Sequence, residues 1–132
     1  MRLSRGATAL LVVLALTVVV IILLTPLGLE TRPTSALKPF GLVAIGTIFL
    51  GLGLFLASIG LLFRRSRLAP GLAILASLLY FLPVVGDQFG YFFSMTIPPA
   101  IRVLEYVLTL ELISNLVLAW VVYKESKQVA SV

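Results

Sequence analysis

Glu111, Ser114 and Asn115 are the residues of this chain whose types and spacing most invite chemistry. They stand near the middle of a long apolar run, Ile97 to Tyr123, opened by Pro98 and Pro99 and closed by Lys124, Glu125 and Lys127. A run of that length crosses a bilayer as a helix, which takes about 20 apolar residues. A carboxylate at that depth costs a few kcal/mol even on lenient insertion scales, so it is rarely there by accident. At about 100° per residue, Leu104, Val107, Glu111, Ser114, Asn115 and Leu118 share one helix face. Arg102, Glu105, Tyr106, Thr109 and Trp120 fall on the opposite one.

Lipid satisfies no polar group, so the Glu111 face must look into a bundle, a cavity or a partner. Arg102 lies on the wrong face and about 13 Å along the axis from Glu111, at 1.5 Å per residue. The residues leave three readings open. Glu111 is a neutral acid hydrogen-bonded to hydroxyls and Asn115, or the partner of a cation on another subunit, or a site where a proton or cationic substrate binds in transit. A neutral acid of the first kind is interhelical glue, worth about 0.6–2 kcal/mol per bond.

Three further apolar segments position that patch. The first runs from about Gly6 to Thr25, behind the basic start MRLSR. It exceeds the 7–15 residues of a signal h-region, and no small-x-small cleavage site follows, so it is expected to remain as an anchor. Leu27 to Lys38 reads as a polar link. The second segment runs from about Pro39 to Phe63, with Pro39 suited to a first helical turn. Gly46, Gly53 and Gly60 recur every seven residues, with Ala57 between the last two. Such a stripe lets another helix approach closely, which is how membrane helices pack.

The tight basic turn Arg64-Arg65-Ser66-Arg67 leads to the third segment, from about Leu68 to Val85, with Ser66 as its expected N-cap. Ala69, Ala73 and Ser77 form a second small-residue face there. The short turn makes segments two and three antiparallel neighbours, whose small faces are expected to meet. The fourth span is about 98–123. The aromatic, Gly-rich stretch at about 86–97 reads as an interfacial or re-entrant segment.

The first three segments have their midpoints near Leu16, Gly51 and Ala76. Thr17 and Ser77 lie within a residue or so of those midpoints, and Thr47 about one turn away. One polar layer at mid-depth is therefore expected: Thr17, Thr47, Ser77, Glu111, Ser114 and Asn115. Arg102 and Glu105, three apart near the outer interface, read as a local ion pair.

Composition agrees. The 132 residues are 61% hydrophobic and 11% charged, with a mean hydropathy of +1.18. Soluble domains carry about 25% charged residues, so part of the solvent here must be lipid. The net charge of +5 does not point to nucleic acid, because the Lys and Arg residues cluster at the ends of apolar runs. With four spans, one side holds Arg2, Arg5, Arg64, Arg65, Arg67, Lys124 and Lys127, and the other Arg32, Lys38 and Arg102. The positive-inside rule puts both termini in the cytoplasm.

Cys and His are absent, which excludes disulfides, thiolate catalysis, Cys-held zinc and His-ligated haem. Glu30, Asp87, Glu105, Glu111 and Glu125 do not cluster in sequence, and no nucleophile–base pair stands out. The expectation is one all-α, four-transmembrane-helix bundle over residues 1–132, in the cytoplasmic membrane, without enzyme activity or cofactor. Its partners are the lipid bilayer and other membrane subunits or copies of itself. The expected role is a non-catalytic accessory or structural subunit of a larger membrane complex, with no redox centre of its own. The alternative is a homo-oligomeric small transporter or channel that uses Glu111 for proton or cation coupling.

Overall fold

The computed structural model describes residues 5–31, 38, 39, 41–89 and 97–131, the side chains of 26–31 and 126–131 excepted. Its secondary structure is helical: α1 Arg5–Thr31, α2 Gly41–Phe63, α3 Leu68–Gln88 and α4 Pro99–Ser131. Each of the four is long and apolar enough to cross a membrane.

The four helices close a ring. α2 packs on α3, α3 on α4, α4 on α1, and α1 more sparsely on α2. The reason lies in the spacing of the buried residues. On α4 they are Ile101, Glu105, Leu108, Leu112, Asn115, Ala119 and Val122, alternating four and three apart. α1 repeats the rule with Ala7, Leu10, Leu14, Thr17 and Ile21, and α3 with Ala69, Ala73, Ala76, Tyr80, Pro83 and Asp87. A seam of period 3.5 lets helices interlock with crossings of about 20°.

Neighbours run antiparallel. Asn115 of α4 bonds Thr17 of α1, and Glu125 near the end of α4 lies against Gly6 near the start of α1. Gln88 at the end of α3 bonds Glu105 near the start of α4. The start of α1, the α2–α3 turn and Lys124 therefore share one end of the bundle. That end carries the exposed cations Arg5, Arg64, Arg65, Arg67 and Lys124. Lys124 sits 5.3 Å above the Trp120 ring, which stacks on Tyr123 at 5.7 Å.

Several boundaries differ from the expected ones. α1 continues as helix through Pro26 to Thr31, so the first part of the expected Leu27–Lys38 link is helical. α3 runs past Pro83 to Gln88. Gly86 and Asp87, expected at the start of the interfacial or re-entrant stretch, are buried residues of that helix. Asp87 continues the buried row of Ala73 and Tyr80 at seven-residue spacing, and that packing outweighs the helix-weakening of Pro83 and Gly86. Residues 90–96 of the expected interfacial stretch lie outside the described residues.

The α2–α3 turn is a Schellman closure. Ser66 N–H donates to Leu61 O at 2.9 Å, and Arg65 N–H to Leu62 O at 3.0 Å. Arg65 then occupies the left-handed region at φ 55°, where glycine is the usual residue. Arg65→Gly is expected to stabilise the folded chain by about 1 kcal/mol, the usual cost of that backbone in a non-glycine residue. Reversible unfolding in mixed micelles measures it, and no gain would contradict the strain. Ser66 supports the start of α3, its hydroxyl accepting from Leu68 N–H at 3.2 Å, but Arg67 is the residue flanking the helix.

Candidate functional site

A polar group sits halfway along the α1–α4 seam. Thr17, at the middle of α1, is fully buried. Its hydroxyl donates to Val13 O at 2.7 Å, which satisfies its one proton inside its own helix. The same oxygen accepts from Asn115 Nδ2 at 3.0 Å across the seam. The Glu111 carboxyl, one turn before Asn115, lies beside the Thr17 hydroxyl. A threonine hydroxyl has one donor and two acceptor sites. With its proton on Val13 O and one lone pair on Asn115, Thr17 has a second lone pair left open.

Three side-chain oxygens among the described residues are buried and have no hydrogen-bond partner: Ser77 Oγ on α3, and Asn115 Oδ1 and Glu111 Oε2 on α4. Ser77 and Asn115 are both 0% exposed. Ser77 stands at about the level of Asn115 along the bundle, as its position relative to Gln88 indicates. Gln88 bonds Glu105 on α4, and Ser77 lies eleven residues back along α3, about three whole turns and so on nearly the same face. Eleven residues onward from Glu105 on antiparallel α4 is Leu116, next to Asn115. Ser77 and Asn115 thus stand at about one level in the bundle, Asn115 turned to Thr17 of α1.

Sequence reasoning joined Thr17, Glu111 and Asn115, and these the fold brings together. Ser77 is buried at the same level. Thr47 is half-buried and turns its hydroxyl to Ala44 O at 2.8 Å in its own helix. Ser114 is exposed and bonds Leu110 O at 2.9 Å. The shared face expected for Glu111 and Ser114 is therefore corrected. The inward seam is centred on Leu108, Leu112 and Asn115, so Glu111 lies half-buried on its flank and Ser114 looks outward.

At the other end of the bundle Glu105 is buried, and its Oε2 accepts from Gln88 Nε2 at 2.9 Å. Arg102 is exposed. Glu105 thus belongs to the inner seam and ties α4 to α3, in place of the surface pair with Arg102 that the sequence suggested.

The small-residue stripes divide. Ala69 and Ala73 are fully buried. Gly46, Gly53, Ala57 and Gly60 all face outward, and a Cβ at any of the three glycines would meet nothing within 4 Å. Their expected meeting with α3 does not occur, because α2 presents Gly51, Phe55, Ser58 and Leu62 to its neighbours instead. Gly51 and Ser58 are the contacts sequence reasoning missed. Ser58 Oγ donates to Ala69 O at 2.8 Å, and a Cβ on Gly51 would fall 2.5 Å from Tyr80 Cδ2. The signal was available: Ala44, Gly51 and Ser58 also recur every seven residues.

Among the described residues no group of three His, Cys, Asp or Glu is placed to hold a metal ion. The chain matches no protein-family model, no curated protein and no solved structure.

Proposed function

We propose that this chain is a non-catalytic accessory subunit of a larger membrane assembly, in the cytoplasmic membrane with both termini inside, and with no redox centre of its own. One observation carries the reading: the outward face of α2 has the shape of a helix-docking surface. Gly46, Gly53 and Gly60 form a shallow groove at seven-residue spacing. Leu42, Phe49, Leu56 and Phe63 form an exposed ridge beside it at the same spacing. Exposed apolar side chains alone mean nothing in lipid, which is as apolar as they are. A groove and ridge in register are different, because close backbone approach is what drives helices together there. The exposed cations at the end shared by α1 and the α2–α3 turn support the orientation.

Purification in mild detergent followed by native mass spectrometry tests this. The expected result is co-purifying chains in fixed stoichiometry, lost in Gly53→Leu. A solitary monomer would overturn it.

The Glu111 group favours a second reading, a homo-oligomeric transporter coupled to a proton or cation. Glu111 Oε2 is buried without a partner near the middle of α4, where intramembrane acids mark ion pathways. Glu111→Gln would then abolish cation- or proton-coupled flux in vesicles while leaving the chain folded.

A further inference from the structure

We propose that the α2–α3 turn holds the headgroup of an anionic phospholipid, with Arg64, Arg65 and Arg67 as its phosphate ligands. The turn joins two of the candidate spans, so it stands where a bilayer puts its headgroups. All three arginines are exposed, and they fall within four consecutive residues. At about 3.8 Å per residue their Cα atoms lie within about 11 Å of one another. The turn itself is fixed by Ser66 N–H to Leu61 O and Arg65 N–H to Leu62 O.

The chain does not neutralise this charge. No Asp or Glu stands between Glu30 and Asp87, and both of those fall at the other end of the bundle. Glu125 shares the end of the turn but lies against Gly6 of α1. Among the described residues none of the three arginines forms an ion pair. Like charges crowded on one turn repel each other, and a phosphodiester set among them removes that repulsion.

The residue types narrow the ligand. Orientation in a membrane asks only for positive charge, which lysine supplies as well. A guanidinium instead presents a planar fork that fits two phosphate oxygens at once. Arg65 also sits at φ 55°, where glycine would relieve the backbone. Arginine adds nothing to the fold at that position, and what it supplies there is charge. Phe63 and Leu68, the last residue of α2 and the first of α3, flank the arginines and are 67% and 68% exposed. Cationic forks between two exposed apolar side chains suit a ligand that is anionic at its head and apolar below it. A free phosphate or a nucleic acid would leave Phe63 and Leu68 unused. A zwitterionic headgroup would bring an ammonium beside the guanidiniums, so the headgroup is one with net negative charge.

The inference is independent of the accessory and transport readings and needs only that the helices lie in a bilayer. Quenching by brominated lipids tests it at the turn itself. Trp120 is the only tryptophan, so Phe63→Trp in a Trp120→Phe chain reports from the flank of the turn. Leu42→Trp in the same background reports from the other end of α2. The full chain is reconstituted in phosphatidylcholine with increasing brominated phosphatidylglycerol, and brominated phosphatidylcholine gives the reference. Phosphatidylglycerol is expected to be preferred about tenfold at Phe63→Trp, and little if at all at Leu42→Trp.

Arg64→Gln, Arg65→Gly and Arg67→Gln together should abolish the preference at Phe63→Trp while helix content is kept, because glycine suits the backbone at position 65. Arg5→Gln with Lys124→Gln, which removes two other cations of the same end, should leave the preference in place. It should also persist in half-molar salt, which screens a diffuse surface attraction, and in millimolar inorganic phosphate. No preference at Phe63→Trp, an equal preference at Leu42→Trp, or a preference retained in the folded triple variant would each overturn the proposal. So would its loss in Arg5→Gln with Lys124→Gln, its loss in salt, or its displacement by inorganic phosphate.

Discussion

Gly51→Leu should push α2 off α3 and destabilise the bundle by about 3 kcal/mol, the upper part of the usual range for overpacking. The cause is local and rigid. An ideal Cβ on Gly51 would lie 2.5 Å from Tyr80 Cδ2 and 2.7 Å from Cε2. The Tyr80 ring cannot swing away freely, because it is buried and its face meets Phe55 at a centroid distance of 5.6 Å. Phe55 is itself fully buried. Even Gly51→Ala should cost about 1–2 kcal/mol for the same reason, against its gain in helix propensity.

The control lies two residues on. Gly53→Leu has open space around it and replaces a poor helix former with a good one, so it should leave the fold unharmed or stabilise it by about 0.8 kcal/mol. Reversible unfolding of the two variants in mixed micelles separates them. Equal effects would mean that α2 does not present this face to α3. The pair also separates folding from assembly, since Gly53→Leu is the variant expected to keep its fold and lose its partner.

These two glycines mark how far the sequence could be read. Length, hydropathy and the position of the charges were enough for four apolar helices, and the bounds of α2 nearly match the expected 39–63. Which face of α2 turns inward was not legible. Gly46, Gly53 and Gly60 formed the more conspicuous stripe, and small residues at helical spacing carry no sign saying inside or outside. In water the polar residues of a helix give the answer. α2 is apolar almost all round, so only the fit to a neighbour decides, and here that fit is Gly51 against the Tyr80 ring. On α4 the polar residues did point inward, but only to within a third of a turn or so. Asn115 is on the inner seam and Glu111 on its flank, while Ser114 bonds its own helix and looks out. A hydroxyl closes its proton on the preceding turn at little cost, as Thr47 and Ser114 both do. Ser and Thr are therefore weak guides to facing in lipid. Asn115 instead reaches across the seam to Thr17, and it was the reliable pointer.

That asymmetry sets the second large effect. Thr17→Val keeps the volume of a fully buried side chain and deletes one oxygen. The loss exceeds one bond, because Thr17 Oγ1 is the acceptor that holds the buried Asn115 amide. Asn115 Oδ1 already has no partner, so its whole amide would stand unpaired in the seam. Leaving buried polar groups unpaired costs about 1–3 kcal/mol each, more than the bond itself returns when made. Thr17→Val is therefore expected to destabilise by about 2–3 kcal/mol. Asn115→Leu removes the donor and its orphaned oxygen together, and should cost about 1 kcal/mol or less. Combined, the two replace both partners by apolar groups of similar size, so the double variant should be more stable than Thr17→Val alone. A double-mutant cycle in mixed micelles reads that recovery as a coupling energy, and simple additivity would mean that the α1–α4 seam is not held through this pair.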